Sequence, residues 1–471
     1  MDYFLTLRKR ESLELFNYGL KGETMNFFRF LKPAPHIEEI RDSDEVKKRY
    51  RYWRIRTFYS MYIGYAFYYF SRKSFTFAMP MMIQDLGFDK AQLGYLASIF
   101  SLAYGLSKFM SGILSDESNP RYFMSLGLIL TGFFNIFFGF SSSLILFAVF
   151  WGMNGWFQGW GWPPCAKLLT HWYSQSERGR WWSVWNTSHN LGGGIIPIIV
   201  AVVANYMGWR FAMYIPGVAC ILMGFLLINR LRDVPRSLGL PPVEKFHKES
   251  SEVRRLNHEE EQLSAKKILV QFVLKNRYIW MLAFASFFVY VIRTAINDWT
   301  ALFLMETKGY SLIAAGTTIF WFEMGGFLGS LAAGWLSDLF FRGKRGPVNT
   351  LFAFFVIFSL LAMWRSPLPM LFFDSMIMFV IGFFVFGPQM LIGVAAAELS
   401  HKQAAGTATG FVSGFFGYAG AAAAGGPLGA MIRDHGWEGF FIVLTISGIM
   451  SFLCLVPLWN VKVGPKEVES V

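Results

Sequence analysis

The sequence predicts an all-α membrane protein whose twelve transmembrane helices form two pseudo-symmetric six-helix halves. Three observations carry that expectation. Of 471 residues, 54% are hydrophobic and only 16% charged, and the apolar residues come in runs long enough to cross about 30 Å of hydrocarbon. The cations collect in the amino-terminal tail (Arg8-Lys9-Arg10 and Lys47-Lys48-Arg49) and in the loops at 115–121, 174–180, 231–277 and 340–346, while alternate loops are nearly bare of them. That alternation is the positive-inside pattern and places both termini in the cytoplasm. The chain also repeats itself at a step of about 220 residues.

Taken in order, the apolar runs lie at 55–83, 91–114, 122–140, 144–173, 181–206, 209–230, 277–305, 312–336, 347–365, 369–398, 406–430 and 436–459. The expected organisation is a cytoplasmic tail at 1–54, an N-terminal half at 55–230, a charged cytoplasmic linker with Pro235, Pro241 and Pro242 at 231–276, a C-terminal half at 277–460 and a second tail at 461–471. The tail before the first run is polar and basic, so no cleavable signal is expected. Met25 is an alternative start to Met1. Three features repeat. Gly112-Ile-Leu-Ser-Asp116 closes the second run and Gly334-Trp-Leu-Ser-Asp338 the eighth, 222 residues on. Tyr69-x-x-Arg72 in the first run is matched by Tyr290-x-x-Arg293 in the seventh, 221 residues on. Gly161-Trp-Pro163 in the fourth is echoed by Gly387-Pro388 in the tenth. Parallel six-helix halves joined by a cytoplasmic linker are the major facilitator architecture, which places a substrate site near the midplane between halves.

The first run holds the most telling chemistry. Arg72 and Lys73 sit near its middle, where a cation costs from ~3 to more than ~10 kcal/mol unless a wet cavity, a counter-charge or an anionic ligand offsets it. Equivalent positions in two pseudo-symmetric halves put Arg72 and Arg293 face to face. Two guanidiniums present planar forks of donors suited to phosphate oxygens. Tyr65, Tyr68 and Tyr69 precede Arg72 by seven, four and three residues and share its helical face, as Tyr290 does for Arg293. They either donate to ligand oxygens or pack as ordinary aromatic wall. Lys73 is expected to pair with Asp298, Glu323 or both, as a latch between halves or as a purely structural pair. Lys108 in the second run either lines the cavity or snorkels to the cytoplasmic end. His189 in the fifth run either follows phosphate protonation or is a hydrogen-bonding core residue. The Gly192-Gly193-Gly194 triplet and the Ala/Gly-rich stretch at 417–430 read as sites of close helix approach.

Other classes are excluded. Cys165, Cys220 and Cys454 are odd in number and lack metal or disulfide spacing. The net charge of +12 does not form one face, so no nucleic-acid partner is expected. There is no nucleophile–base arrangement, no nucleotide fingerprint, no cofactor site and no metal site, so the chain is not read as an enzyme.

Several stretches resemble the organophosphate:phosphate antiporters of the major facilitator superfamily, most nearly the hexose-phosphate branch with its UhpC-like members. They are Tyr-Tyr-Phe-Ser-Arg-Lys (68–73), Tyr-Gly-Leu-Ser-Lys-Phe (104–109), Trp-Phe-Gln-Gly-Trp-Gly-Trp-Pro-Pro-Cys (156–165), Ser-Val-Trp-Asn-Thr-Ser-His-Asn (183–190), Val-Ile-Arg-Thr-Ala-Ile-Asn-Asp-Trp (291–299) and Phe-Gly-Pro-Gln-Met-Leu-Ile-Gly (386–393). The resemblance covers nearly all of 50–460. It implies that Arg72 and Arg293 bind phosphate, that Lys108 and His189 belong to the central site, and that Lys73, Asp298 and Glu323 form an interhelical charge cluster. It implies exchange of a hexose 6-phosphate, glucose 6-phosphate first, for inorganic phosphate, by a monomer in a bacterial inner membrane. The alternatives are a glucose 6-phosphate sensor signalling to a membrane histidine kinase, and a carrier of glycerol 3-phosphate or another phosphate ester.

Overall fold

The computed structural model describes residues 31–116, 118–246, 268–366, 369–400 and 404–461. The Arg8–Arg10 basic run, the Met1 and Met25 starts, most of the linker and the tail from 462 lie outside the described residues. These are helical throughout their ordered elements, with no strand among them.

The N-terminal half comprises α1 (Ser43–Leu86), α2 (Lys90–Asp116), α3 (Pro120–Phe140), α4 (Leu144–Gln158), α5 (Trp162–Trp172), α6 (Gln175–Asn186), α7 (Ser188–Met207) and α8 (Trp209–Arg230). The C-terminal half comprises α9 (Arg277–Lys308), α10 (Leu312–Leu339), α11 (Arg345–Trp364), α12 (Leu371–Glu398), α13 (Ala405–Thr409), a π-helical turn at Gly410–Phe416, α14 (Gly417–Ala423) and α15 (Gly426–Leu455). Local chemistry sets the borders. The Asp42 carboxylate caps α1 by accepting from the Asp44 and Glu45 amides, and Gly87 ends it at φ 69°. Helix α1 therefore starts a dozen residues before the apolar run, and its first turns stand outside the hydrocarbon. The fourth run breaks at Gly159–Gly161, because Pro163 and Pro164 open α5 without amide donors. The last two runs are separated at Gly436, whose non-helical backbone (φ 64°, ψ −161°) interrupts α15.

Eight helical stretches are long and apolar enough to cross a membrane, and one of them, the 54-residue Ala405–Leu458, is broken at Gly436 and holds the last two runs. The first, second and fourth runs fall outside that set. The first two carry the tyrosines, serines and cations of the central site, and the fourth is interrupted at its glycines.

Within each half the helices meet through close backbone approaches. A Cβ on Gly382 of α12 would lie 1.9 Å from the Phe322 carbonyl oxygen of α10, and one on Gly325 of α10 would lie 1.9 Å from that of Phe379. Backbone cannot retreat as a side-chain tip can, so Gly382→Val is expected to prevent accumulation of folded protein. Normal yield and a monodisperse elution profile in detergent would contradict that.

The halves touch mainly through two pairings that exchange under the pseudo-symmetry, α7 with α10 and α2 with α14 and α15, and less extensively where α1 meets α9. Both lie from mid-membrane toward the end that carries the loops poor in cations. There Lys90 pairs with Glu306 at 2.6 Å and Arg433 with Asp89 at 3.7 Å, and a Cβ on Gly94 would meet the Gly425 carbonyl at 2.6 Å. Toward the end with the basic loops, no ion pair or hydrogen bond joins the halves among the described residues. The central site therefore lies beneath a closed end.

Candidate functional site

A cavity of about 80 Å³ lies between the halves at mid-membrane, room for a few waters. Helix α1 contributes Tyr69, Arg72 and Thr76, and α9 contributes Tyr290, Arg293 and Asp298. The repeated Tyr-x-x-Arg pair thus reaches one space from both sides. No carboxylate lies within 4.0 Å of either guanidinium among the described residues.

The two arginines are held differently. Arg72 donates from Nε to Gln158 Oε1 at 2.8 Å. Gln158 in turn donates to Ser71 Oγ at 3.1 Å and Asn154 Oδ1 at 2.8 Å. Asn154 donates to Asn135 Oδ1 at 3.2 Å, and Asn135 to the Met213 carbonyl at 2.7 Å. A chain of buried amides across α1, α4, α3 and α8 therefore fixes the Arg72 fork from its Nε side. The guanidinium also lies 4.4 Å from the Tyr104 ring and 4.7 Å from the Tyr69 ring. Arg293 rests 4.8 Å from the Phe386 ring and 5.9 Å from that of Tyr290, and its buried Nε has no hydrogen-bond partner among the described residues. One fork is braced and the other is unsatisfied, which a desolvated cation tolerates when an acceptor arrives.

Lys73 borders the same cavity and is engaged on its other side. It is 5% exposed, donates to Asn297 Oδ1 and lies 3.8 Å from Glu323 Oε1. Glu323 is fully buried, and its Oε2 accepts from Asn190 Nδ2 at 3.3 Å. Gly193 makes room for it: a Cβ there would sit 2.8 Å from the Glu323 carboxyl carbon. The cluster joins α1, α7, α9 and α10. Asp298 is not within 4.0 Å of Lys73. It accepts from Thr76 Oγ1 at 3.4 Å instead, because Asn297, one residue earlier, occupies the face toward Lys73.

The remaining expected residues spread out. Lys108 lies 5.3 Å from the Trp162 ring and 5.5 Å from the Tyr418 ring. His189 lies between the Tyr69 and Phe386 rings at 6.0 and 6.2 Å. Neither borders the cavity itself; both stand on its side toward the basic-loop end. Tyr65 does not reach it. Seven residues are two turns, about 10 Å along the axis, and its ring packs against Trp185 at 4.9 Å. Tyr104, Gln158, Asn297 and Tyr418 belong to the surroundings and were not expected. Tyr104 precedes Lys108 by one helical turn, which is a usable signal. Tyr418 lies 4.5 Å from the Tyr104 ring and 5.5 Å from that of Tyr290, closing the space across the halves.

Comparison with known proteins shows the family. A family model described as Major Facilitator Superfamily matches residues 61–425. A probable hexose phosphate transport protein of Chlamydia muridarum is 57% identical over 441 residues, covering 92% of this chain and 96% of that one. The membrane sensor protein UhpC of Escherichia coli K12 is 49% identical, covering 93% and 99%. The glycerol-3-phosphate transporter of Bacillus subtilis is 41% identical, covering 91% and 97%. A crystal structure of a bacterial homologue of the human lysosomal transporter Spinster, inward-facing and unoccupied, shares the fold with a TM-score of 0.66 at 16% identity, covering 86% of this chain and 96% of that one. The chain is a non-enzymatic, multi-pass membrane carrier that belongs to the major facilitator superfamily, in its organophosphate:phosphate antiporter family.

Proposed function

We propose that the chain exchanges a hexose 6-phosphate, glucose 6-phosphate first, for inorganic phosphate across a bacterial inner membrane, by alternating access. The observation that supports it most is the pair of guanidiniums, one from each half, bordering one cavity with no carboxylate within 4.0 Å among the described residues. A phosphate between them accepts from both forks and draws the halves together. Without it, two facing cations oppose closure, so only the loaded carrier reorients cheaply and exchange is obligatory. Tyr69 and Tyr290 flank the forks. Lys108 and His189 stand where the sugar end of an ester extends, on the basic-loop side.

With both termini cytoplasmic, the closed end is the outer one and the halves part toward the cytoplasm. The cavity at its present 80 Å³ suits a phosphate rather than an ester, so a hexose phosphate enters by further separation of the halves. The carrier works as a monomer, since each half supplies one arginine and the site is complete in one chain.

The relative named as a membrane sensor, at 49% identity, favours a second reading: binding of the same ester with negligible flux, reported to a membrane histidine kinase. Proteoliposomes loaded with labelled phosphate separate the two. Rapid counterflow driven by external ester, without a partner protein, is the expected result; binding without flux identifies a sensor. A panel of esters then ranks the substrate, with glucose 6-phosphate expected to compete at least roughly tenfold better than glycerol 3-phosphate, about 1.4 kcal/mol.

A further inference from the structure

We propose that the groove between α1 and α8 at the basic-loop end is a binding site for the headgroup of an anionic phospholipid. Because α1 begins at Ser43, its first turns carry a stripe of cations across the membrane border. Lys47, Lys48, Arg51 and Arg56 of α1 and Arg230 of α8 line an open groove of about 690 Å³, against the single carboxylate of Asp44. Lys47 is engaged by Asp44 at 3.1 Å, but Lys48 and Arg51 have no ion-pair partner among the described residues.

The floor of the groove is prepared rather than incidental. Arg56 donates from Nη2 to the Asn229 carbonyl at 3.2 Å and to Asn229 Oδ1 at 3.0 Å, and lies 4.9 Å from the Trp53 ring. Its buried Nε has no acceptor among the described residues. Arg230 donates to the Tyr59 hydroxyl at 2.6 Å. These bonds place Arg56, Tyr59 and Arg230 at one depth, where α8 ends and tyrosine and tryptophan mark the interface. Below that depth the same two helices turn apolar and exposed: Ile63 at 42%, Leu222 at 65%, Phe225 at 58% and Leu226 at 46%. A cationic mouth above an apolar gutter fits one amphiphile, with phosphate among the cations and acyl chains along α1 and α8.

The choice of a lipid over free phosphate or a protein partner follows from that continuity. A soluble anion has no use for the gutter, and a protein docking there would displace bilayer. The site is also separate from the central cavity, so it acts on α1, the helix that carries Arg72, and not on the substrate.

Native mass spectrometry of the purified full chain, delipidated and then titrated with phosphatidylglycerol or phosphatidylcholine, tests this. Lys48→Gln/Arg51→Gln removes the two unpaired cations, and Arg342→Gln/Lys344→Gln removes equal charge from another basic loop. The expected result is retained phosphatidylglycerol on the parent chain and on the loop variant, a fall of roughly tenfold in the groove variant, and no retained phosphatidylcholine. Equal retention in the parent and groove variants overturns the proposal, as does an equal fall in the loop variant, which would reveal general charge attraction. Displacement of the lipid by millimolar inorganic phosphate also overturns it, assigning the groove to a soluble anion.

Discussion

Arg72→Lys and Arg293→Lys are each expected to abolish phosphate exchange in proteoliposomes while leaving folding intact. Lysine keeps the charge but replaces a planar fork by a point donor. Each charge-assisted bond lost costs about 1.5–3 kcal/mol, so losing one arm of a bidentate contact lowers occupancy roughly tenfold to a hundredfold. The effect should be larger at Arg72 than its burial suggests, because Gln158 holds its Nε at 2.8 Å and lysine also abandons that bond, leaving the amide chain with an unused acceptor. At Arg293 no such brace exists among the described residues, so Arg293→Lys should lose exchange with little change in thermal stability. Near-normal exchange in either variant, measured at equal protein incorporation, would refute the clamp.

The second large effect concerns stability rather than transport. Lys73→Met leaves Glu323 fully buried without its cation, with Asn190 Nδ2 at 3.3 Å as the remaining donor among the described residues. Breaking a buried pair from one side costs about 3–5 kcal/mol, whereas replacing both members by uncharged residues is often neutral. Lys73→Met is therefore expected to lower the melting temperature in detergent by several degrees, and Lys73→Met/Glu323→Gln to recover most of the loss. If the double variant transports as the parent does, the pair is structural. If it is stable but slow to exchange, the pair is a latch between α1 and α10. A double variant less stable than Lys73→Met would contradict the pairing.

The positions that the sequence made legible are those with a physical reason to stand out. Arg72 and Lys73 are conspicuous because cations are costly in hydrocarbon, and Arg293 because the repeat places it opposite. The glycines at 192–194 read as close contact, and a Cβ on Gly193 would indeed meet Glu323. What stayed hidden depended on which side of a helix a residue takes. Asn297 rather than Asp298 faces Lys73, a one-residue difference of about 100° that spacing in one helix does not reveal. Tyr418 sits in a stretch dominated by alanine and glycine, so its ring was masked by the packing signal of its neighbours. Gln158 is uncharged and carries no cost large enough to mark it, although it braces the most important cation. The break of the fourth run at Gly159–Gly161 and the early start of α1 lie beyond hydropathy, since capping and proline placement decide them.

The central claim is that one phosphate is shared by both arginines, and a double-variant cycle of phosphate binding tests it most directly. Affinity for inorganic phosphate is measured by isothermal titration on the parent chain, Arg72→Lys, Arg293→Lys and the double variant. Shared binding predicts strong non-additivity, with a coupling of about 1–3 kcal/mol between the two positions. Additive losses, or undiminished affinity in either single variant, would mean that the two guanidiniums do not hold the same anion.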